Sequence, residues 1–197
     1  MVILIGGVEY AGKTLMAQRL LEKYNFPYHS IDHLKMGLYR AGENCEYTPE
    51  DSAELIAEKL WGIIKGMIMT NVENKQNLII EGCYLLPQYI KELDKLYEKE
   101  HNKPVISFYL GFSAGYIEKN FQNKILANRS VIEDRKYESK ETLEEYIKEN
   151  QKLRDLCGKY NAKYFEIQQD YDKELGQIYD WIDNQLAEAT WIYKRKR

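Results

Sequence analysis

The sequence predicts an α/β chain with a parallel sheet covered by helices, and three observations carry the prediction. Five short β-rich apolar runs, at residues 2–6, 27–31, 77–81, 105–111 and 162–168, are separated by segments of helical period. Two of these runs contain Val-Ile-Leu-Ile and Leu-Ile-Ile without polar alternation, as expected of strands buried on both faces. A glycine-rich turn then joins the first run to an amphipathic segment, the strand-turn-helix order from which layered α/β architectures are built.

The first helical segment, residues 13–21, carries Leu15, Met16, Leu20 and Leu21. A second comes after Ser30-Ile31-Asp32-His33 and runs through Leu34 and Leu38. The third is expected to start at Thr48, with Thr48 as cap, Pro49 at the first helical position and Glu50 and Asp51 in the positive first turn. Its stripe of Leu55, Ile56, Leu60, Ile63, Ile64, Met67 and Ile68 is a core face. A fourth helix after Pro87 carries Ile90, Leu93, Leu96 and Tyr97, and a fifth is expected over residues 113–128. Residues 128–140 are charged and poor in large apolar side chains, so they read as a surface segment inserted between helices. Apolar spacing resumes over residues 143–156.

A chain of 197 residues suits one α/β domain over residues 1–197, and 44% apolar with 30% charged residues is ordinary for a soluble globular protein. No stretch approaches the roughly 18 apolar residues of a membrane span, so no membrane partner is expected. The net charge of −3 gives no reason to expect a nucleic-acid partner, and the basic residues 194–197 read as a solvated tail. Cys45, Cys83 and Cys157 are odd in number and lack metal-ligand spacing, which argues against a disulfide framework and a zinc site. Met1 leads within a few residues into a glycine-rich turn, so no signal peptide is expected. Both features fit a reducing cytoplasm.

Gly7-Val8-Glu9-Tyr10-Ala11-Gly12-Lys13-Thr14 fits a spacing whose parts each have a physical task. The glycines let the loop turn successive backbone N–H groups inward onto phosphate oxygens. Lys13 adds a charge for the β- and γ-phosphates, the Thr14 hydroxyl is suited to Mg²⁺, and the helix from Lys13 presents its positive end. A chance match has a probability on the order of 1 in 100 in a chain of this length, and here the motif also lies between a strand and a helix. The expected nucleotide-binding set is Gly7, Tyr10, Ala11, Gly12, Lys13, Thr14 and Leu15, with ATP and Mg²⁺ as cofactors.

The second run ends at Asp32 and the third at Glu81. Ligands of open α/β sheets bind beyond the carboxyl ends of the strands, so both carboxylates should arrive beside the phosphate loop. Glu81 is assigned to the metal side with Thr14, and also to the edge of the substrate site. Asp32 is assigned to the acceptor, either positioning it or accepting its proton; an N-cap role for the adjoining helix is compatible with both. Arg40, Arg129 and Arg135 are candidate phosphate clamps, because guanidinium groups supply paired donors to a transferring phosphoryl.

These segments, GGVEYAGKT at 6–14, SIDHLKMGLYR at 30–40, LIIEGCYLLP at 78–87 and the arginines at 129 and 135, resemble the small P-loop kinases of the adenylate, shikimate and gluconate kinase type. The second and third segments also look like the phosphoglycerate-kinase-like and zeta-toxin-like branch. The resemblance implies a three-layer P-loop NTPase fold with a five-stranded parallel sheet in the order 2-3-1-4-5 and a short lid at residues 128–140. It also implies phosphoryl transfer from ATP to the hydroxyl or phosphate of a small molecule, with Lys13, Asp32, Arg129 and Arg135 as the catalytic set, in a monomer or homodimer. The stretch Cys83-Tyr84-Leu85-Leu86-Pro87 departs from the nucleoside-monophosphate-binding pattern of adenylate kinase. A nucleotide-binding regulatory NTPase and a toxin-like kinase of a cell-wall nucleotide sugar are the alternatives.

Overall fold

A computed structural model describes residues 1–42, 45–98, 103–128 and 142–188. Five parallel strands, β1 (Val2–Gly7), β2 (Tyr28–Ser30), β3 (Leu78–Glu81), β4 (Val105–Phe112) and β5 (Tyr164–Ile167), form one sheet in the order β2-β3-β1-β4-β5. This is the predicted order. The central strand β1 is buried along its whole length and feeds two cores by simple alternation. Ile3 and Ile5 enter one core with Phe108 and Leu110, while Val2 and Leu4 enter the other with Ile80 and Tyr109.

Helices cover both faces. The first core receives α1 (Lys13–Tyr24) through Met16, Ala17 and Leu20, and α5 (Ala114–Asn120) through Tyr116 and Ile117. The second receives α2 (Ile31–Ala41), α3 (Ala53–Glu73) and α4 (Pro87–Leu96), with Ile31, Ile56, Leu60, Ile64, Ile90 and Leu93 buried. Helix α6 (Leu143–Tyr160) serves both, placing Tyr146 in the first core and Cys157 in the second. Its start is secured by a reciprocal capping box between Thr142 and Glu145.

Three elements differ from expectation. Helix α3 begins at Ala53, and its cap is Ser52, whose hydroxyl accepts from the Leu55 N–H at 3.3 Å. Thr48 is drawn instead into a turn: its N–H and hydroxyl both donate to the Asp51 carboxylate, at 2.6 and 3.1 Å. The expected helix over 113–128 stops being α-helical at Asn120 and continues as a π-helical turn, Phe121–Leu126. At the junction Asn120 donates its side-chain amide to the Tyr116 carbonyl at 2.8 Å. The third difference is an additional helix, α7 (Tyr171–Glu188), which buries Leu175, Ile178, Ile182 and Leu186 against the first core. Removing each such side chain from water stabilises the fold by about 1.5–3 kcal/mol.

Strand register brings the sequence-predicted site residues to one edge. Ile5 and Ser30 both pair with Glu81, and Gly7 pairs with Leu110, so the phosphate loop and the ends of β2 and β3 share one edge of the sheet.

Candidate active site

The turn from β1 to α1 has the conformation its glycines allow. Gly7 and Gly12 have φ of 150° and 79°, and a Cβ at Gly12 would lie 1.8 Å from the Tyr171 hydroxyl. Tyr10 takes φ 57° without a glycine's freedom, at a cost of about 1–2 kcal/mol that the surrounding contacts must offset. Gly12 caps α1 without a side chain, so the first amides of the helix face the loop's interior with no built-in acceptor from the cap. Ala11 is buried, and Leu15 lies half-buried on the first turn.

Lys13 is only 8% exposed, and its ammonium donates to the Val8 carbonyl at 2.7 Å, within its own loop. The Thr14 hydroxyl donates to Glu81 Oε1 at 3.2 Å, and Glu81 is 1% exposed. A buried carboxylate beside a hydroxyl at the end of a phosphate loop is a hard, all-oxygen donor pair. Among the described residues no group of three or more His, Cys, Asp or Glu side chains could hold a metal. Two protein oxygens, completed by water and phosphate, fit Mg²⁺, which keeps much of its hydration.

Asp32 lies in the first turn of α2, half-buried, and pairs through Oδ1 with Lys35 Nζ at 3.0 Å. Asp32 is not the cap of this helix: Ser30 holds that position, and no side-chain cap bond forms. Lys35, 9% exposed, donates in addition to the Tyr84 hydroxyl at 2.7 Å, and its backbone carbonyl accepts from the Tyr47 hydroxyl at 2.8 Å. Burial pushes the Tyr84 hydroxyl well above its ordinary range, with Asp32 and Glu9 adding to the effect, so it stays protonated. The Cys83 thiol is pushed up to about 12, by burial first and against the opposing pull of Lys13. Strand register carries the loop after β1, the start of α2 with Asp32 and the end of β3 with Glu81 to one edge of the sheet.

The structure therefore unites Lys13, Thr14 and Glu81 on one side with Asp32 on the other. Arg40 is not brought to this space: it is exposed, in the last turn of α2, roughly 12 Å along the helix from Asp32. Arg129 and Arg135 lie outside the described residues, as does nearly all of the expected lid at 128–140. Lys35 and Tyr84 were not anticipated from sequence. The spacing of Asp32 and Lys35, one helical turn apart, was the available signal. A cavity of about 790 Å³ bordered by Lys91, Lys95, Lys103 and Trp181 lies by the opposite ends of the strands, at the start of β4, away from this chemistry.

No family model matches the chain, and no curated protein matches it in sequence. Solved structures do match. A sugar kinase from Janibacter sp. HTCC2649 is 15% identical with a TM-score of 0.52, the match covering 96% of this chain and 98% of that one. Shikimate kinase from Aquifex aeolicus vf5 is 11% identical with a TM-score of 0.54, over 95% and 99%. A gluconokinase from Sinorhizobium meliloti 1021 is 14% identical with a TM-score of 0.50, over 93% and 96%. The fold is that of the small P-loop kinases. Within that class the likeness spans sugar, shikimate and gluconate kinase structures, and at these identities it is a likeness of fold.

Proposed function

We propose that the chain is an ATP- and Mg²⁺-dependent phosphotransferase that moves the γ-phosphoryl to a hydroxyl or phosphate of a small molecule. The observation that carries this reading is the meeting of two chemically different groups at one sheet edge. The loop with Lys13 and the Thr14–Glu81 pair shares a sheet edge with the start of α2, where Asp32 pairs through Oδ1 with Lys35.

In this reading the amides of residues 7–14 hold the β- and γ-phosphates, and Lys13 exchanges the Val8 carbonyl for phosphate oxygens. Thr14 and Glu81 would hold Mg²⁺, which would supply positive charge to the same phosphates. Lys35 fixes Asp32 Oδ1, and Oδ2 orients the acceptor hydroxyl and takes its proton as the oxygen attacks the γ-phosphorus and ADP departs. For a phosphate acceptor, Asp32 only orients. Arg129 and Arg135 neutralise the transferring phosphoryl. The substrates are ATP and a small acceptor, with no nucleic acid. Among the described residues no helix is long and apolar enough to cross a membrane, and the three cysteines are free thiols, in keeping with a reducing cytoplasm.

The test is a screen of small metabolites for acceptor-dependent ADP release, with Lys13→Ala as the blank. We expect Lys13→Ala to lose at least about 100-fold in turnover while keeping its circular dichroism spectrum. If no acceptor raises release above that blank, the regulatory NTPase reading replaces this one.

A further inference from the structure

A loop that converges its N–H groups on an anion must turn its carbonyls outward, and outward carbonyls in a buried loop need donors. Three of them have one here. The Val8 carbonyl accepts from Lys13 Nζ at 2.7 Å and from the Ala11 N–H at 3.4 Å. The Glu9 carbonyl accepts from the Tyr146 hydroxyl at 2.6 Å, and the Ala11 carbonyl from the Tyr171 hydroxyl at 3.4 Å. The lysine is needed at the phosphates once nucleotide enters, so its hold on Val8 is lost when the loop works. The two tyrosines lie outside the motif of residues 7–14.

Both tyrosines are placed by structure remote from the loop in sequence. Tyr146 is fully buried in the first turn of α6, behind the Thr142–Glu145 capping box and against Phe121 and Phe112, with ring centroids 5.5 and 6.5 Å away. Tyr171 opens α7 beside Phe112, at 6.3 Å. The turn before it is clamped by the Glu174 carboxylate, which accepts from the N–H groups of Gln168, Gln169 and Asp170 at 2.9, 2.7 and 2.8 Å. Gly12 is what lets the Tyr171 hydroxyl come this close, because any Cβ there would overlap it.

We propose that Tyr146 and Tyr171 are positioning residues for the nucleotide phosphates: they hold the Glu9 and Ala11 carbonyls outward, so that the amides between Gly7 and Thr14 stay turned inward when Lys13 leaves Val8. Neither touches substrate. The proposal rests on the phosphotransfer reading of the site. It also ties the phosphate site to α6 and α7, two helices that contribute no residue to the motif.

The test is calorimetric titration of the full chain with MgATP and, separately, with magnesium tripolyphosphate, in wild type, Tyr146→Phe, Tyr171→Phe and Lys13→Ala, each with its thermal midpoint. Phenylalanine keeps the ring and removes only the donor. We expect both phosphate ligands to bind about tenfold more weakly to Tyr146→Phe and about threefold more weakly to Tyr171→Phe, in line with the shorter and longer hydrogen bonds. An equal loss for ATP and tripolyphosphate is the mark of phosphate positioning, which a purely structural role would not produce. Wild-type affinity in both tyrosine variants while Lys13→Ala loses binding overturns the proposal and leaves the function standing. A lowered midpoint without selective loss of phosphate binding also overturns it. If Lys13→Ala binds both ligands like wild type, the functional reading itself fails.

Discussion

At the end of β1 and the start of α1, the groups proposed to meet phosphate are backbone amides arranged by Gly7 and Gly12. At the ends of β2 and β3, the groups facing them are side chains, Asp32, Lys35 and Tyr84, brought from a helix and a loop. The first half therefore depends on φ angles and carbonyl partners, and the second on an ion pair and a hydrogen bond between long side chains. The backbone cradle tolerates no Cβ at Gly7 or Gly12, whereas a side-chain constellation can be re-cut one residue at a time. Such a difference suits an enzyme class in which the phosphoryl donor is constant and the acceptor varies.

Substitutions should separate the two halves. The largest effect is expected for Asp32→Asn, which keeps shape and removes the proton acceptor: kcat with a hydroxyl acceptor should fall by about 10²–10⁴ while KM for ATP stays unchanged, measured by coupled ADP release. A matching rise in the ATP KM would show that the halves are not separable. Lys35→Met should come next, raising the acceptor KM about tenfold through a loosened Asp32 and Tyr84, again with ATP unaffected.

Cys83 follows the end of β3, and burial disfavours its thiolate. Carbamidomethylation should therefore be at least tenfold slower than for a free thiol at pH 8, the rate still rising with pH above 9, where a free thiol's rate levels off. Fast labelling at pH 8, read by peptide mass spectrometry, would contradict the burial. The smallest effect is expected beneath the acceptor half. Ser52→Ala should cost about 1 kcal/mol in urea unfolding through loss of the α3 cap. Thr48→Ala, which leaves its backbone bond to Asp51 in place, should cost less.

The same contrast explains what was legible. Gly7 to Thr14 could be read because backbone geometry demands particular residues at particular spacings, and the strands could be read because burial on both faces leaves uninterrupted apolar runs. Asp32 and Glu81 could be placed from strand ends. Lys35 and Tyr84 could not, because their contact joins positions 49 residues apart and no local rule couples them. The start of α3 was misplaced because Thr48 and Ser52 both resemble caps, and only the Asp51 carboxylate decides between them. Helix α7 was overlooked although Leu175, Ile178, Ile182 and Leu186 keep a helical stripe. Trp181 flanks that stripe and packs on the same core, against Phe108 and Phe165, with centroids 5.8 and 5.7 Å away.

The π-helical turn at Phe121–Leu126 can be regarded as a one-residue insertion carried inside a helix. Each residue added to a helix rotates the rest of the chain by about 100°. Deleting exposed Gln122 would let the turn relax toward α-helical winding, and the chain would leave Asn128 facing a different side of the molecule. At this point chain length acts as a steering device: a change of one residue, with no change in chemistry, redirects the chain where it leaves the turn at Asn128.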